Sequence, residues 1–305
     1  MSWKLLAHAP RDAVRQALVT HERMEETGDW DSDMVLTGSE VAEDRPHDWQ
    51  LEAYLPRKPL AADRKLLAQL FGHDAPEIRA EKLPDTDWVT ETQRSVTPIR
   101  AGRFHVHTPD FPADPSPEVF DFTIPAAQAF GTGQHATTAG CLAMLDAMKQ
   151  RGVTVRDSVD IGTGTGLLAF AALALWPRNC ATASDIDAVC DSVVAENCRL
   201  NGIAQGPGPG ALAMVVAPGT DHPLTHARAP YDLIMANILA GPLIELAGDF
   251  AELAAPRGNL VLAGLLQTQE AAVRAAYRTA GFRLAARIVN GDWSILWLRR
   301  RWQPA

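Results

Sequence analysis

Val159-Asp160-Ile161-Gly162-Thr163-Gly164-Thr165-Gly166 is the stretch that decides the fold. The run Ser158 to Ile161 reads as a buried strand, and Thr165 to Trp176 as a helix stopped by Pro177. Three glycines at alternate positions remove three Cβ atoms from the turn between them. A ligand can then lie against the backbone at the carboxyl edge of the strand. The spacing is G-x-G-x-G, not the G-x-G-x-x-G expected around a pyrophosphate. Taken alone, the turn fits a ligand cradle and a plain tight connection equally.

Outward from that turn, the chain alternates strand and helix from Ala126 onward. Thr137 to Gln150 and Ala188 to Leu200 read as helices, the second closed by Asn201-Gly202. Cys180 to Ser184, Leu212 to Ala217 and Leu233 to Ala236 read as strands. Leu243 to Leu253 (helix), Leu260 to Ala263 (strand) and Gln267 to Ala280 (helix) continue a doubly wound α/β sheet. Phe282 to Val289 and Trp293 to Leu298 are strand-like, and Asn290-Gly291 between them favours the type I′ turn of a tight hairpin. The sheet therefore ends on one reversed strand. In this it resembles the class I methyltransferases, and a nicotinamide-binding sheet does not require it.

Three further segments carry candidate chemistry. Ser184-Asp185-Ile186-Asp187 ends the next strand, with Asp185 placed 23 residues after Gly162. A carboxylate there can accept both ribose hydroxyls of an adenosine. Its bland alternative is a helix cap, which Asp187 suits better by position. Asn237, in Ala236-Asn237-Ile238-Leu239-Ala240, falls at the mouth of the crevice, where its amide oxygen can accept an N–H from a substrate amine; otherwise it is a turn residue capping the next helix. Phe130-Gly131-Thr132-Gly133-Gln134-His135-Ala136-Thr137-Thr138 enters the first helix of the domain, where Thr137 or Thr138 can turn a hydroxyl to the ligand. His135 is read as a hydrogen-bonded spacer ahead of a catalytic base.

The first 90 residues read as a separate small domain with the order β-α-β-β-α-β, the ferredoxin-like pattern, and no catalytic cluster. Residues 91–125 carry Pro98, Pro109, Pro112, Pro115, Pro117 and Pro125 and are expected to be a partly extended inter-domain link. Residues 126–305 form the α/β domain. The formal net charge is −9, from 28 Lys plus Arg against 37 Asp plus Glu. Nucleic-acid contact would need a local basic stripe, and the clearest run, Arg299-Arg300-Arg301, is short and nearly terminal. A basic partner suits the acidic field better. The 4 cysteines, Cys141, Cys180, Cys190 and Cys198, form no C-x-x-C pair and are read as free thiols in a reducing, cytoplasmic setting. The longest apolar run, Leu167 to Trp176, is too short for a bilayer, which takes about 20 residues.

Taken together and in order, these segments resemble the PrmA family, the large-subunit ribosomal protein L-eleven methyltransferases, over nearly the whole chain. Phe130 to Thr138 is similar to the family's F-G-T-G-x-H-x-T-T, and Asp160 to Gly166 to its D-x-G-x-G-x-G. Asp185-Ile186-Asp187 and Asn237-Ile238-Leu239-Ala240 are similar to its D-I-D and N-I-L-A. Ala136 stands where the family usually has Pro, and Thr163-Gly164-Thr165 where it has Cys-Gly-Ser. Gly206-Pro207-Gly208-Pro209-Gly210 looks like an inserted surface loop.

The resemblance implies S-adenosylmethionine as cofactor and no metal. It implies that Gly162 and Gly164 admit the methionine part, Asp185 the ribose, and Thr138 the cofactor from the opposite side. Asn237 and the backbone carbonyl of Ile238 would align the acceptor amine, and Asn237 would also contact the cofactor. The acceptors would be lysine ε-amino groups and the α-amino group of ribosomal protein L-eleven, gripped by the N-terminal domain. A monomer without membrane or direct DNA contact is expected. The alternatives are a protein-lysine methyltransferase acting on another protein such as an electron-transfer flavoprotein, a nicotinamide-dependent oxidoreductase, and a non-enzymatic RNA- or ribosome-binding module. The last would need a basic, aromatic sheet face, which the acidic N-terminal sequence does not offer.

Overall fold

A computed structural model describes residues 3–27, 30, 34–41, 48–72, 75–82, 97–125 and 134–301, with backbone only at 22–23, 25–27, 40 and 134–135. The chain divides into two compact units, Met1–Trp88 and Val89–Ala305.

The first unit contains β1 (Trp3–Pro10), α1 (Arg11–Thr27), β2 (Val35–Glu40), β3 (Asp48–Leu55), α2 (Ala61–Gln69) and β4 (Ile78–Lys82). Its sheet runs β2-β3-β1-β4, with every neighbour antiparallel. The β-α-β-β-α-β order is thus present, and β3 is inserted between β1 and β2. Alternate strand residues Leu5 and Ala7, and Leu51, Ala53 and Leu55, bury one face against Val14 and Ala17 of α1 and Leu67 of α2. In the first turn of α2, the Asp63 carboxylate accepts the Leu60 N–H at 2.6 Å and pairs with Arg57, which satisfies a helix-start donor.

The second unit begins with β5 (Ile99–Ala101), β6 (Phe104–His107) and β7 (Phe120–Thr123), a three-stranded sheet. The reading of 91–125 as a partly extended link does not hold over residues 97–125; residues 91–96 lie outside the described residues. The prolines lie at the flanks: Pro98 precedes β5, Pro109 to Pro117 occupy the β6–β7 loop, and Pro125 follows β7. They leave three- and four-residue strands intact, and Ile99, Phe104, Val106 and Phe122 enter the main apolar core. On this sheet His105 and His107 sit within hydrogen-bond reach of the Asp121 carboxylate, at 2.6 and 3.0 Å, and Asp114 donates its backbone N–H to the same group. Burial pushes the Asp121 pKa upward; the Asp114 N–H and the two imidazoles outweigh it, so the pKa is held below the ordinary 3.8.

The remaining elements are α3 (Gln134–Gln150), β8 (Asp157–Ile161), α4 (Leu167–Leu175), β9 (Cys180–Asp185), α5 (Val189–Leu200), β10 (Ala204–Gln205), β11 (Ala211–Val216), α6 (Pro223–Arg228) and β12 (Tyr231–Asn237). They are followed by α7 (Ala240–Glu245), α8 (Ala247–Leu253), β13 (Ala254–Leu266), α9 (Glu270–Thr279), β14 (Phe282–Asn290) and β15 (Trp293–Arg300). The single helix expected over 243–253 is two short ones that meet at Leu246. The sheet order is β10-β11-β9-β8-β12-β13-β15-β14. β8, β9, β11, β12 and β13 run parallel, and β15 pairs antiparallel with both β13 and β14. The Asn290-Gly291 hairpin therefore supplies the reversed strand, as its turn chemistry requires, with Gly291 at φ 58. The chain leaves β8 for β9 on one side and returns to β12 on the other. Beyond the carboxyl ends of these three strands lies the topological switch point, where open α/β sheets bind ligands. Among the described residues no helix is long and apolar enough to cross a membrane.

Candidate active site

At that switch point lies a cavity of about 500 Å³, within the range of about 300–1,000 Å³ usual for small-molecule sites. Thr138, Gly162, Gly164, Asp185, Asn237 and Ile238, the residues singled out from the sequence, all line it.

The glycine turn is held from behind. The Ser184 carbonyl, at the end of β9, accepts the N–H groups of Gly162 and Thr163 at 2.8 and 3.0 Å. Gly162 (φ 71) and Gly164 (φ 55) are both left-handed, a region costly to residues with a Cβ. They are glycine for different reasons. A Cβ on Gly162 would lie 2.3 Å from Ile238 Cγ2, whereas one on Gly164 would meet no atom within 4 Å. Gly162 lets the Asn237-Ile238 segment approach, and Gly164 keeps open space beside the backbone.

Asp185 is not as free as the sequence suggested. Its Oδ2 accepts the Gly164 N–H at 2.8 Å and its Oδ1 the Asp187 N–H at 3.1 Å. Each carboxylate oxygen keeps a second lone pair, so the group can still accept hydroxyls while it fixes the glycine turn. Asp187 takes the capping task, accepting the Val189 N–H at 2.9 Å at the start of α5. Beneath the turn, Asp160 is 1% exposed and accepts the Thr163 hydroxyl at 2.6 Å. Burial pushes its carboxyl up to about 7 against the Thr163 bond, and the nearby Asp185 charge adds to the rise. Thr163 thus supplies a hydroxyl donor that a thiol at this position would provide only weakly.

Asn237 ends β12, and the bland role foreseen for it is not the one observed. α7 takes Leu239 as its N-cap with no side-chain cap bond. Thr138, on the first turn of α3, is 8% exposed. The helix start is tied to the hairpin, because Asn290 donates its side-chain amide to the Ala136 carbonyl at 3.0 Å. Residues 126–133 and the His135 side chain lie outside the described residues, so the Phe130 to Gly133 reading has no structural counterpart here.

The sequence reading missed Gly264. This β13 residue has φ 82, and a Cβ on it would lie 2.2 Å from the Ile238 carbonyl oxygen. Ile238 is therefore gripped from two sides, its side chain against Gly162 and its peptide against Gly264. A lone glycine inside the strand-like run Leu262-Ala263-Gly264-Leu265 was the available signal, since such a glycine marks a close backbone approach.

The glycine-floored cavity, with a carboxylate at one wall and an amide at its mouth, fits an adenosine joined to an amino-acid tail. Comparison with known proteins decides the matter. The family model described as "Ribosomal protein L11 methyltransferase (PrmA)" matches residues 11–301. The chain belongs to this family. A ribosomal protein L11 methyltransferase of Agrobacterium fabrum is 37% identical over 273 residues, covering 88% of this chain and 90% of the relative. One from Brucella suis is 40% identical over 219 residues, covering 72% and 74%. The crystal structure of a ribosomal protein L11 methylase from Lactobacillus delbrueckii subsp. bulgaricus superimposes with a TM-score of 0.56 at 24% identity, over 68% of this chain and 98% of that one, and so shares the fold. This PrmA-family chain is a class I methyltransferase that uses S-adenosylmethionine as methyl donor.

Proposed function

We propose that the enzyme methylates amino groups, lysine ε-amino and N-terminal α-amino, of ribosomal protein L11, and that Asn237 and Ile238 align the acceptor. The observation that carries this reading is that Asn237 and Ile238 line the same cavity as Gly162, Gly164 and Asp185. The relatives' shared name supplies the protein target.

When bound, S-adenosylmethionine supplies an electrophilic methyl carbon on a sulfonium. The chain's residues do the rest by alignment. Gly164 leaves room for the methionine part, Asp185 accepts the ribose hydroxyls, and Thr138 closes the opposite wall. The apolar side chains of Ile161, Leu168 and Leu246 keep water from the cavity, and desolvation favours the neutral amine over the ammonium. The Asn237 side-chain oxygen and the Ile238 carbonyl accept the two N–H bonds, which points the nitrogen lone pair at the methyl. The N-terminal unit, 1–90, is assigned to protein-substrate recognition.

Mass spectrometry of purified L11 after incubation with enzyme and S-adenosylmethionine tests the target. Stepwise addition of methyl groups at amines supports it. Label from the cofactor entering another protein of a cell extract, with L11 unmodified, would move the assignment to that protein.

A further inference from the structure

We propose that an arginine-lined hollow at the opposite end of the eight-stranded sheet docks the phosphate backbone of RNA. Among the described residues, five line a cavity of about 510 Å³, and all are arginine: Arg257, Arg283, Arg299, Arg300 and Arg301. A second hollow of about 230 Å³ shares Arg283 and Arg301 with it and adds Arg274 and Arg278. Among the described residues no carboxylate lines either one, although Arg274 is paired with Glu270 at 3.0 Å.

The cluster exists only in three dimensions. Arg257 lies near the start of β13, Arg283 near the start of β14, and Arg299 and Arg300 end the reversed β15, with Arg301 just beyond it. Residues 254–301 hold eight arginines, no lysine and two acids, Glu270 and Asp292, a net of +6 in a chain of −9. The rest of the protein is strongly acidic, so this end is a local inversion of its field.

Two features work against stability in the isolated protein. Arg283 and Arg299 face each other directly across β14 and β15, a like-charge pair that destabilises a sheet. Arg257 is the one non-glycine residue with positive φ, at 65, among the described residues. It stands on a bulge where the pairing of β12 with β13 jumps from Tyr231–Ala254 to Leu233–Asn259. Glycine would relax that position, and here it carries a guanidinium instead. Arg300 is braced by its hydrogen bond to the Ala254 carbonyl. Such costs are retained where a polyanion offsets them.

The choice of arginine throughout favours phosphate, whose oxygens match the planar guanidinium fork. Two joined hollows form a track rather than a point site. Tyr277 and Phe282, the aromatic residues at the second hollow, are fully buried, so among the described residues bases find no stacking platform there and the arginines meet the backbone. The choice of RNA over other polyanions rests on the reading that the substrate is a ribosomal protein; the phosphate chemistry does not.

The test is fluorescence anisotropy of the full-length protein with a short RNA duplex while KCl is raised from about 50 to about 200 mM. The wild type is expected to bind with a steep log–log salt slope. The triple variant Arg283→Ala, Arg299→Ala, Arg301→Ala should bind at least about tenfold more weakly and lose about one unit of slope per phosphate contact. Methylation of free L11 should be the same in both proteins, because these residues lie far from the cofactor cavity along the strands. Absent RNA binding, equal binding by the variant, or equal affinity for polyglutamate would overturn the phosphate site, and equal affinity for a DNA duplex would overturn the choice of RNA as its occupant. None of those outcomes touches the methylation reading, which fails only if L11 gains no methyl groups.

Discussion

The two ends of the eight-stranded sheet use the same backbone device for opposite purposes. At the carboxyl ends of β8 and β13, left-handed positions are filled by glycine: Gly162, Gly164 and Gly264. At the other end Gly210 and Gly281 are left-handed as well, but one such position is filled by Arg257. Where a ligand or another peptide must touch the backbone, the side chain is deleted. Where a charge must be projected, strain is tolerated. The comparison teaches that a tight turn is not a role; what a Cβ would meet there tells the two uses apart.

The largest effect that would break this contrast is at Gly264. Gly264→Ala places a Cβ against the Ile238 carbonyl and should lower the methyl-transfer rate by about a hundredfold, the scale of a 1 Å misplacement near reacting atoms. Cofactor affinity in the same variant should be nearly retained, and calorimetry beside steady-state kinetics measures both. Asp185→Ala acts on the other quantity. It should weaken S-adenosylmethionine binding by about 1.5–3 kcal/mol, the range for hydrogen bonds to a charged group, with part of the loss coming from release of the Gly164 N–H. Asn237→Ala should slow transfer by about tenfold or more without a matching loss of cofactor binding, since it removes a group that acts on the reacting amine. A normal rate in that variant would remove Asn237 from the mechanism.

The last effect is on stability alone and lies away from both ends. Because Asp121 has a lowered folded-state pKa, its contribution to stability is complete above the ordinary value of 3.8 and is lost as pH falls through the lower folded value. Asp121→Asn should cost about 1–3 kcal/mol at neutral pH and flatten the acid limb of a denaturant titration. A variant with an unchanged acid limb would show that the His105–Asp121–His107 contacts are not what holds the β5–β6–β7 sheet together at low pH.

Much of the architecture was legible along the chain. The apolar runs of β8, β9 and β12 are bounded by glycine, aspartate and asparagine, and Asn290-Gly291 announced the reversed final strand. Asp185 and Asn237 were legible because ligand-facing residues follow the strands of such sheets directly. The β5–β6–β7 sheet was hidden for a physical reason. Its strands are three or four residues long, its prolines sit just outside them, and two of its seven buried strand residues are His105 and His107, so no clean apolar periodicity marks it.

The sequence by itself determined the alternation of strands and helices, the hairpin that reverses the last strand, and the positions where a ligand can approach the backbone. These are local properties, set by side-chain volume and dihedral preference over a few residues. Only the tertiary structure decided that Gly264 grips the Ile238 peptide, that Asp185 also braces the glycine turn, and that arginines from β13, β14 and β15 share one hollow. Each of those depends on strand register across the sheet, which brings together residues that no window along the chain contains.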